Sequence, residues 1–134
     1  MHAAVFEAPF ELTMQERERP VPKQGEALVK VDAAGLCAGD LYIFLGKNPY
    51  VSFPRVGGHE IAGHIDKLGP DTAGPRLGSR VVVEPFLGCK RCYPCRIGKP
   101  NCCADLKIIG AIRMGVLPNM LLPQWKTFLP FRMV

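Results

Sequence analysis

Apolar residues occur in short stretches that alternate with polar residues or carry β-branched side chains, and proline or glycine separates one stretch from the next. This pattern is typical of strands joined by turns. It predicts strands at residues 3–6, 12–14, 26–34, 61–68, 79–85 and 108–109. A further apolar stretch, residues 41–45, has the length of about one helical turn. The pattern therefore predicts a mainly β domain.

Two of the predicted turns carry polar side chains beside glycine. One reads Gly-Leu-Cys-Ala-Gly-Asp, and its glycines permit a sharp turn that presents Cys37 and Asp40 just after a strand. The other reads Gly-Gly-His-Glu and presents His59 and Glu60 just before the next strand. Both turns are candidate sites for chemistry.

The composition is that of an ordinary globular domain. The 134 residues suit one domain, with 48% hydrophobic and 22% charged residues. No apolar run approaches the roughly 20 residues of a membrane span, so no membrane partner is expected. The first residues lack the pattern of a secretory signal, from which we expect a cytoplasmic location. The net charge of +5 does not indicate nucleic-acid binding, because the last 23 residues contain no acid and supply +3 of it.

Five of the six cysteines lie within fifteen residues. Cys89, Cys92 and Cys95 are each separated by two residues, so one tight loop can direct three thiolates to one point. Either Cys102 or Cys103 can then complete a tetrahedron. Because four thiolates leave no ligand position for water, the spacing predicts a structural zinc site. Buried free thiols would not need such regular spacing, and neighbouring Cys-x-x-Cys pairs would make strained disulfides.

Cys37 and His59 are candidates for a second zinc site. A thiolate and an imidazole with an open position commonly hold catalytic zinc, provided here that the two turns face each other. A metal-bound histidine usually donates its other ring N–H to a carboxylate, a role that fits Asp40, and Glu60 is a second acid nearby. Taken alone, a residue such as Cys37 is more often a buried core thiol, and one such as His59 is more often a loop histidine. A zinc site and a purely structural role for the two therefore both stay open here.

Three motifs occur in a fixed order: Gly-Leu-Cys-Ala-Gly-Asp, then Gly-His-Glu-Ile-Ala-Gly, then the cysteine-rich lobe that ends in Asn-Cys-Cys. In this order and spacing they resemble the amino-terminal half of the zinc-dependent medium-chain alcohol dehydrogenases. The resemblance covers residues 1 to about 111. It implies that residues 1–111 form a GroES-like β-barrel, the catalytic domain, with a zinc-binding lobe at residues 89–103.

The resemblance also implies roles for individual residues. Cys37 and His59 would bind a catalytic zinc. Glu60 would lie beside this metal and bind it transiently, and Asp40 would orient the histidine. The ligands of the structural zinc would be Cys89, Cys92, Cys95 and Cys103, with Cys102 spare. Gly39 departs from the family, which usually has Ser or Thr at this position to begin the proton relay from the alcohol.

In this family a Rossmann domain follows the barrel and binds NAD or NADP. Zinc polarises the alcohol oxygen, and the resulting alkoxide passes hydride to the nicotinamide. This sequence contains no Gly-x-Gly-x-x-Gly motif, so we expect the Rossmann domain to be absent and neither dinucleotide to bind. The expected function is the zinc-binding catalytic domain of an alcohol, polyol or sugar-acid dehydrogenase, truncated before the cofactor domain and inactive alone.

Two other interpretations stay open. A stand-alone zinc-binding module that acts through partners would not need the four residues Cys37, Asp40, His59 and Glu60 in catalytic order. A degraded gene would yield an inactive fragment. Whether the chain forms a homo-oligomer is also left open.

Residues 112–134 differ in composition from the rest of the chain. They hold three of the five methionines and the only tryptophan. When back-translated and read from the third base of the Ala111 codon, they can encode His-Pro-Asp-Gly-Gly-Phe-Ala-Glu-Tyr-Val, which resembles the continuation usual in the family. We interpret this tail as frameshifted and expect it not to pack as family structure. The alternative is a native carboxy-terminal segment.

Overall fold

The computed structural model describes residues 1–111, 119–123 and 128–130. The strands in these ranges are β1 His2–Ala8, β2 Glu11–Glu16, β3 Glu26–Gly35, β4 Arg55–Val56, β5 Glu60–Leu68, β6 Arg80–Val83, β7 Phe86–Leu87, β8 Lys107–Ile108, β9 Asn119–Pro123 and β10 Phe128–Pro130. The helices are α1 Ala38–Phe44, α2 Tyr93–Arg96 and the 3-10 helix Pro100–Cys102. Within these ranges, no helix reaches the length and apolar character that crossing a membrane would require.

All strand pairs in the described part of the chain are antiparallel, and they form three sheets. The strand orders are β2-β1-β4, β10-β6-β5-β3-β9 and β7-β8. The prediction of a mainly β fold is therefore confirmed. The described ranges contain no parallel sheet of the kind that a Rossmann domain needs.

The main core lies on one face of the five-stranded sheet. Alternate residues of β3 and β5 point into it, as the period of two in a strand requires, and Val29 and Ile65 face each other across the pair. The core side chains are Ala27, Val29, Ile61, Ile65, Val81, Val83 and Ile109. Because burying one large aliphatic side chain contributes about 1.5–3 kcal/mol, this cluster fixes the register of the central strands.

Two strands come from the segment that we interpret as frameshifted. β9 pairs with β3, and β10 pairs with β6, so both extend the five-stranded sheet at its edges. This backbone pairing differs from the expectation that the tail does not pack as family structure. The rest of that segment, residues 112–118, 124–127 and 131–134, lies outside the described residues. The frameshift and the boundary at residue 111 stay predictions.

Candidate metal centres

The sulfur atoms of Cys89, Cys92, Cys95 and Cys103 form one group and lie within 4.8 Å of one another. Cys103 is buried, whereas Cys102 is exposed and lies outside the group. The Cys92 and Cys103 sulfurs are 3.8 Å apart. A tetrahedron with metal–sulfur bonds of about 2.3 Å has sulfur–sulfur edges of nearly this length. The four predicted thiols therefore fit a zinc ion by donor type and by spacing.

Local backbone geometry directs these thiols inward. α2 begins after Cys92 with proline in its first turn, which suits the fixed φ of proline, and the 3-10 helix delivers Cys103. Backbone N–H groups donate to the sulfurs: Cys89 N to Cys103 Sγ at 3.2 Å, and Asp105 N to the same sulfur at 3.3 Å. These two bonds hold the Cys103 sulfur in place beside the other three.

The thiols of this group differ in acidity. The backbone N–H groups of Arg91 and Cys92 lower the pKa of Cys89 to about 6. Backbone hydrogen bonds, with Ala104 first, also lower the pKa of Cys92. Burial raises the pKa of Cys95 to about 12. In the metal-free lobe, negative charge therefore concentrates on Cys89, and a metal that binds all four sulfurs must displace the Cys95 proton.

The second candidate centre lies where the two glycine-containing turns meet. Cys37 Sγ and His59 Nε2 are 3.0 Å apart. Cys37 is the N-cap of α1, and its sulfur accepts a hydrogen bond from Gly39 N at 3.1 Å. His59 directly precedes β5, and its side chain is 19% exposed. The structure thus brings together two side chains that are 22 residues apart in sequence.

Asp40 connects the two turns. Its carboxylate accepts hydrogen bonds from Cys37 N at 3.0 Å and from Gly58 N at 3.4 Å, and only 4% of the side chain is exposed. One carboxylate oxygen lies 3.7 Å from His59 Nδ1, the ring nitrogen on the far side from the thiol. Asp40 also lies within 4.8 Å of both candidate ligands. Because its oxygens already accept backbone hydrogens, we assign it to positioning rather than to the metal.

The donor set suits zinc at this centre as well. His59 Nδ1 is buried and has no hydrogen-bond partner, and the Asp40 carboxylate oxygen that faces it lies 3.7 Å away, beyond hydrogen-bond distance. The other ring nitrogen, Nε2, faces the Cys37 sulfur at 3.0 Å. A thiolate and an imidazole are ligands that zinc accepts readily.

A sequence profile of the alcohol dehydrogenase GroES-like domain matches residues 23–131. The chain belongs to this zinc-dependent alcohol dehydrogenase family. The resemblance drawn from the three motifs is thereby confirmed. The matched range includes β9 and β10.

Individual relatives agree with this assignment. The chain is 46% identical over 110 residues to the starvation-sensing protein RspB of Escherichia coli K12, covering 82% of this chain and 32% of RspB. It is 38% identical over 115 residues to the L-galactonate-5-dehydrogenase of the same strain, covering 86% and 34%. The chain also superposes on the structure of an alcohol dehydrogenase, rspB of E. coli CFT073 with NADH, with a TM-score of 0.89 and 39% identity. The match covers 98% of this chain and 38% of the rspB chain. The chain spans about a third of the length of these relatives.

Within this alcohol dehydrogenase domain, a cavity of about 400 Å³ adjoins the second centre. His59 and Glu60 line it together with small and apolar residues of β3, β5 and β6, among them Gly35, Ile61 and Val82. The cavity is thus an apolar space with a few polar groups at one side, which is typical of a small-molecule site.

Glu60 does not join the group formed by Cys37, Asp40 and His59. Its carboxylate lies over the Cα of Gly35, its partner across the β3–β5 ladder. The structure therefore brings together three of the four residues implied for the catalytic centre and places the fourth at the cavity wall. The transient role of Glu60 at the metal stays a prediction.

Sequence reasoning missed one polar pair. The Nδ1 of His64 lies 3.1 Å from the Asp32 carboxylate. The pair forms because β3 and β5 place Lys30 opposite His64, with Asp32 two residues further along β3. Only the register of the two strands could have revealed it.

Proposed function

We propose that this chain is the zinc-binding catalytic domain of an NAD- or NADP-dependent dehydrogenase that acts on polyols or sugar acids. The observation that carries the proposal is that Cys37 Sγ and His59 Nε2 lie 3.0 Å apart beside a cavity of about 400 Å³. The similarity to L-galactonate-5-dehydrogenase supports the substrate class. The four-thiol group would hold a separate, structural zinc.

Each residue of the second centre has a distinct task in this proposal. Cys37 and His59 would hold the metal, and the Asp40 carboxylate, which lies 3.7 Å from His59 Nδ1, would orient the imidazole. When bound, zinc would act as a Lewis acid that lowers the pKa of an alcohol oxygen. The cavity wall beside the centre is mainly apolar, which suits the carbon skeleton of a small substrate.

The alcohol proton needs an acceptor. At Gly39 an added Cβ would lie 3.1 Å from Cys37 Sγ and 3.7 Å from His59 Cε1, so this position adjoins the centre but offers no hydroxyl group. Glu60 is the carboxylate that lines the cavity. We therefore assign it the role of proton acceptor, directly or through water.

Hydride transfer requires a nicotinamide held within about 3.5 Å of the substrate carbon. We propose that residues 1–134 supply the metal centre and the cavity, and that a nucleotide-binding domain outside them binds the nicotinamide. The alternative of a zinc-binding module acting through partners leaves the Cys37–His59 pair without a use. A cytoplasmic location and homo-oligomer formation stay predictions.

The test compares two chains. One is the 134-residue chain, and the other is a chain in which the frame is restored at Ala111 and extended through the downstream reading frame. We expect the repaired chain alone to form NADH or NADPH from a panel of polyols and sugar acids. Cys37→Ala and His59→Ala should abolish this activity, whereas Cys102→Ser should preserve it. Turnover by the 134-residue chain, or a repaired chain indifferent to the loss of Cys37, would contradict the proposal.

A further inference from the structure

The chain that returns from the cysteine-rich lobe enters a turn at Gly110. A hydrogen bond from Ala111 N to Ile108 O at 3.2 Å closes this turn, and Gly110 has a φ of +80°. A turn with a positive φ at its third position favours glycine, because other residues are strained there. The turn lies against Gly58, and both glycines are buried.

The backbone of Gly58 fills the space beside Gly110. A Cβ added to Gly110 would overlap the Gly58 carbonyl oxygen and would lie 2.7 Å from the carbonyl carbon and 3.1 Å from the nitrogen of the same residue. The three nearest atoms to such a Cβ all belong to the Gly58 backbone. Backbone atoms cannot turn aside as the end of a flexible side chain can. The two segments therefore approach this closely only because Gly110 has no side chain.

Gly58 belongs to the turn that presents His59. His59 is the next residue, and the Gly58 N–H donates to the buried Asp40 carboxylate oxygen Oδ1 at 3.4 Å. The same oxygen lies 3.7 Å from His59 Nδ1. A movement of Gly58 would therefore change both the place of the imidazole and the carboxylate that faces it.

The Gly110 side of this contact is held more firmly than the Gly58 side. Ile109 belongs to the main core with 3% of its surface exposed, and its N–H donates to Pro85 O at 3.1 Å. The Gly58 N–H makes the longer bond to Asp40, at 3.4 Å. Relieving the overlap with an added Cβ needs a shift of roughly 1 Å, and we expect Gly58 to take most of it.

We propose that Gly110 is a positioning residue for the second metal centre, because its bare backbone is the surface against which Gly58 packs and this contact sets the place of His59. The inference rests on the proposed metal centre. It gives the segment that follows the cysteine-rich lobe a part in that centre, although none of the proposed ligands lies in this segment. A shift of roughly 1 Å is large beside the few tenths of an ångström by which metal–ligand distances vary.

The experiment measures zinc affinity in the 134-residue chain by competition with a chromophoric chelator, which separates the first equivalent from the second. The variants are Gly110→Ala and the matched control Gly78→Ala. Gly78 has nearly the same φ, +78°, but a Cβ added there would meet nothing within 4 Å. The control therefore carries the same backbone strain without the contact.

We expect Gly110→Ala to weaken binding of the second equivalent by about tenfold or more, the scale on which loss of a group that orients a ligand acts. Gly78→Ala should change this affinity less than about twofold, because it lies away from the centre. Both variants should keep the first equivalent. Cobalt bound as the second equivalent should show a changed visible spectrum in Gly110→Ala only.

Several outcomes would overturn the inference. Two zinc equivalents with the second changed less than about threefold in Gly110→Ala, or an equal weakening in Gly78→Ala, would reject the role of Gly110 alone. A single equivalent in the unsubstituted chain would reject the proposed centre and this inference with it.

Misfolding of Gly110→Ala, which far-ultraviolet circular dichroism would detect, leaves the decision to the unsubstituted chain. In an isotope-labelled sample, the second zinc equivalent should shift the amide resonances of Gly58 and Gly110 but not that of Gly78. A backbone that sets the place of His59 must respond when the metal fixes the imidazole. An unshifted Gly110 resonance would therefore reject its positioning role.

Discussion

At the scale of single residues, Asp40 is the side chain that connects the two turns of the second centre. Its carboxylate is almost completely buried, accepts two backbone hydrogens and faces the His59 ring. A buried acceptor of this kind is costly to remove, because the donors that it served are left without partners. Asp40 therefore holds both the geometry of the centre and part of the stability of the fold.

We predict that Asp40→Ala lowers the free energy of unfolding by about 2–4 kcal/mol, since the buried Gly58 N–H and the partly buried Cys37 N–H lose their acceptor. The same change should weaken the second zinc equivalent by about 10- to 100-fold, because the imidazole loses the group that orients it. Urea unfolding and chelator competition measure the two effects. Asp40→Asn is the matched control and should keep part of both. Unchanged metal affinity in Asp40→Ala would contradict the positioning role.

At the scale of elements, the cysteine-rich lobe behaves as one unit built from α2, the 3-10 helix and the turns beside them. A single step along the chain at the end of the 3-10 helix decides which cysteine joins the other three sulfurs. Cys102 ends that helix and is exposed, whereas Cys103 follows it in extended conformation and is buried. We therefore expect the zinc content to depend on Cys103 and not on Cys102.

We predict that Cys103→Ser removes the tightly bound zinc and that Cys102→Ser retains it. The reason is that only the Cys103 sulfur belongs to the four-sulfur group. Metal analysis of the two purified variants, side by side, makes the measurement. Retention of zinc by the Cys103 variant together with its loss from the Cys102 variant would reverse the assignment.

The unequal acidity of the lobe thiols predicts unequal labelling of the metal-free chain. With a pKa of about 6, Cys89 is mostly thiolate at pH 7, whereas Cys95, with a pKa of about 12, stays a thiol. Pulsed alkylation followed by mass spectrometry should modify Cys89 first, with a midpoint near pH 6. In the denatured chain both should react with the ordinary midpoint near about pH 8.5. Equal rates in the folded chain would contradict this prediction.

The same shift has a consequence for stability. The pKa of Cys89 is lower in the folded than in the unfolded chain. The Cys89 thiolate therefore contributes its full share to the folding stability of the metal-free lobe above about pH 8.5. That contribution is lost as the pH falls through about 6. The raised pKa of Cys95 instead lowers the folding stability of the metal-free lobe at high pH, because there the unfolded chain releases this proton more readily than the folded one.

At the scale of the whole molecule, the five-stranded sheet is completed at both edges by strands from residues 112–134. β9 covers an edge of β3 along five residue pairs, and β10 covers β6 along three. Unpaired strand edges favour association between molecules, so these two strands protect the sheet wherever they stay bound. Whether β9 and β10 stay paired with β3 and β6 therefore affects the tendency of the chain to associate.

The frameshift interpretation predicts that limited proteolysis trims the chain to near Ala111 and leaves the preceding domain intact. A shifted segment has not been selected to pack, so its strands should open more readily than β3 or β5. Mass spectrometry of the fragments gives the cleavage sites, and the repaired chain serves as the control. Protection of β9 and β10 comparable to that of β3 would count against the frameshift and in favour of a native segment.

Much of the lobe and of the strand pattern followed from the sequence alone. The positions of Cys89, Cys92 and Cys95 are set by covalent spacing, because residues three apart can always be brought to one point by a tight loop. The strands at residues 26–34 and 61–68 followed from alternation, and β3 and β5 lie there. The start of α1 was set too late, at residue 41, because a cysteine N-cap is an uncommon signal. The short strands β4 and β7 were missed, since two residues carry no periodicity.

The sequence by itself therefore determined what depends on neighbours along the chain: the grouping of Cys89, Cys92 and Cys95, the main strands and the order of motifs that marks the family. The tertiary structure alone decided what depends on the register between distant strands. It placed Glu60 over Gly35, joined the two turns through Asp40 and paired His64 with Asp32. The physical reason is that a shift of one residue in the pairing of β3 with β5 would turn each side chain to the opposite face. That register is fixed by the packing of the core, which no single stretch of sequence contains.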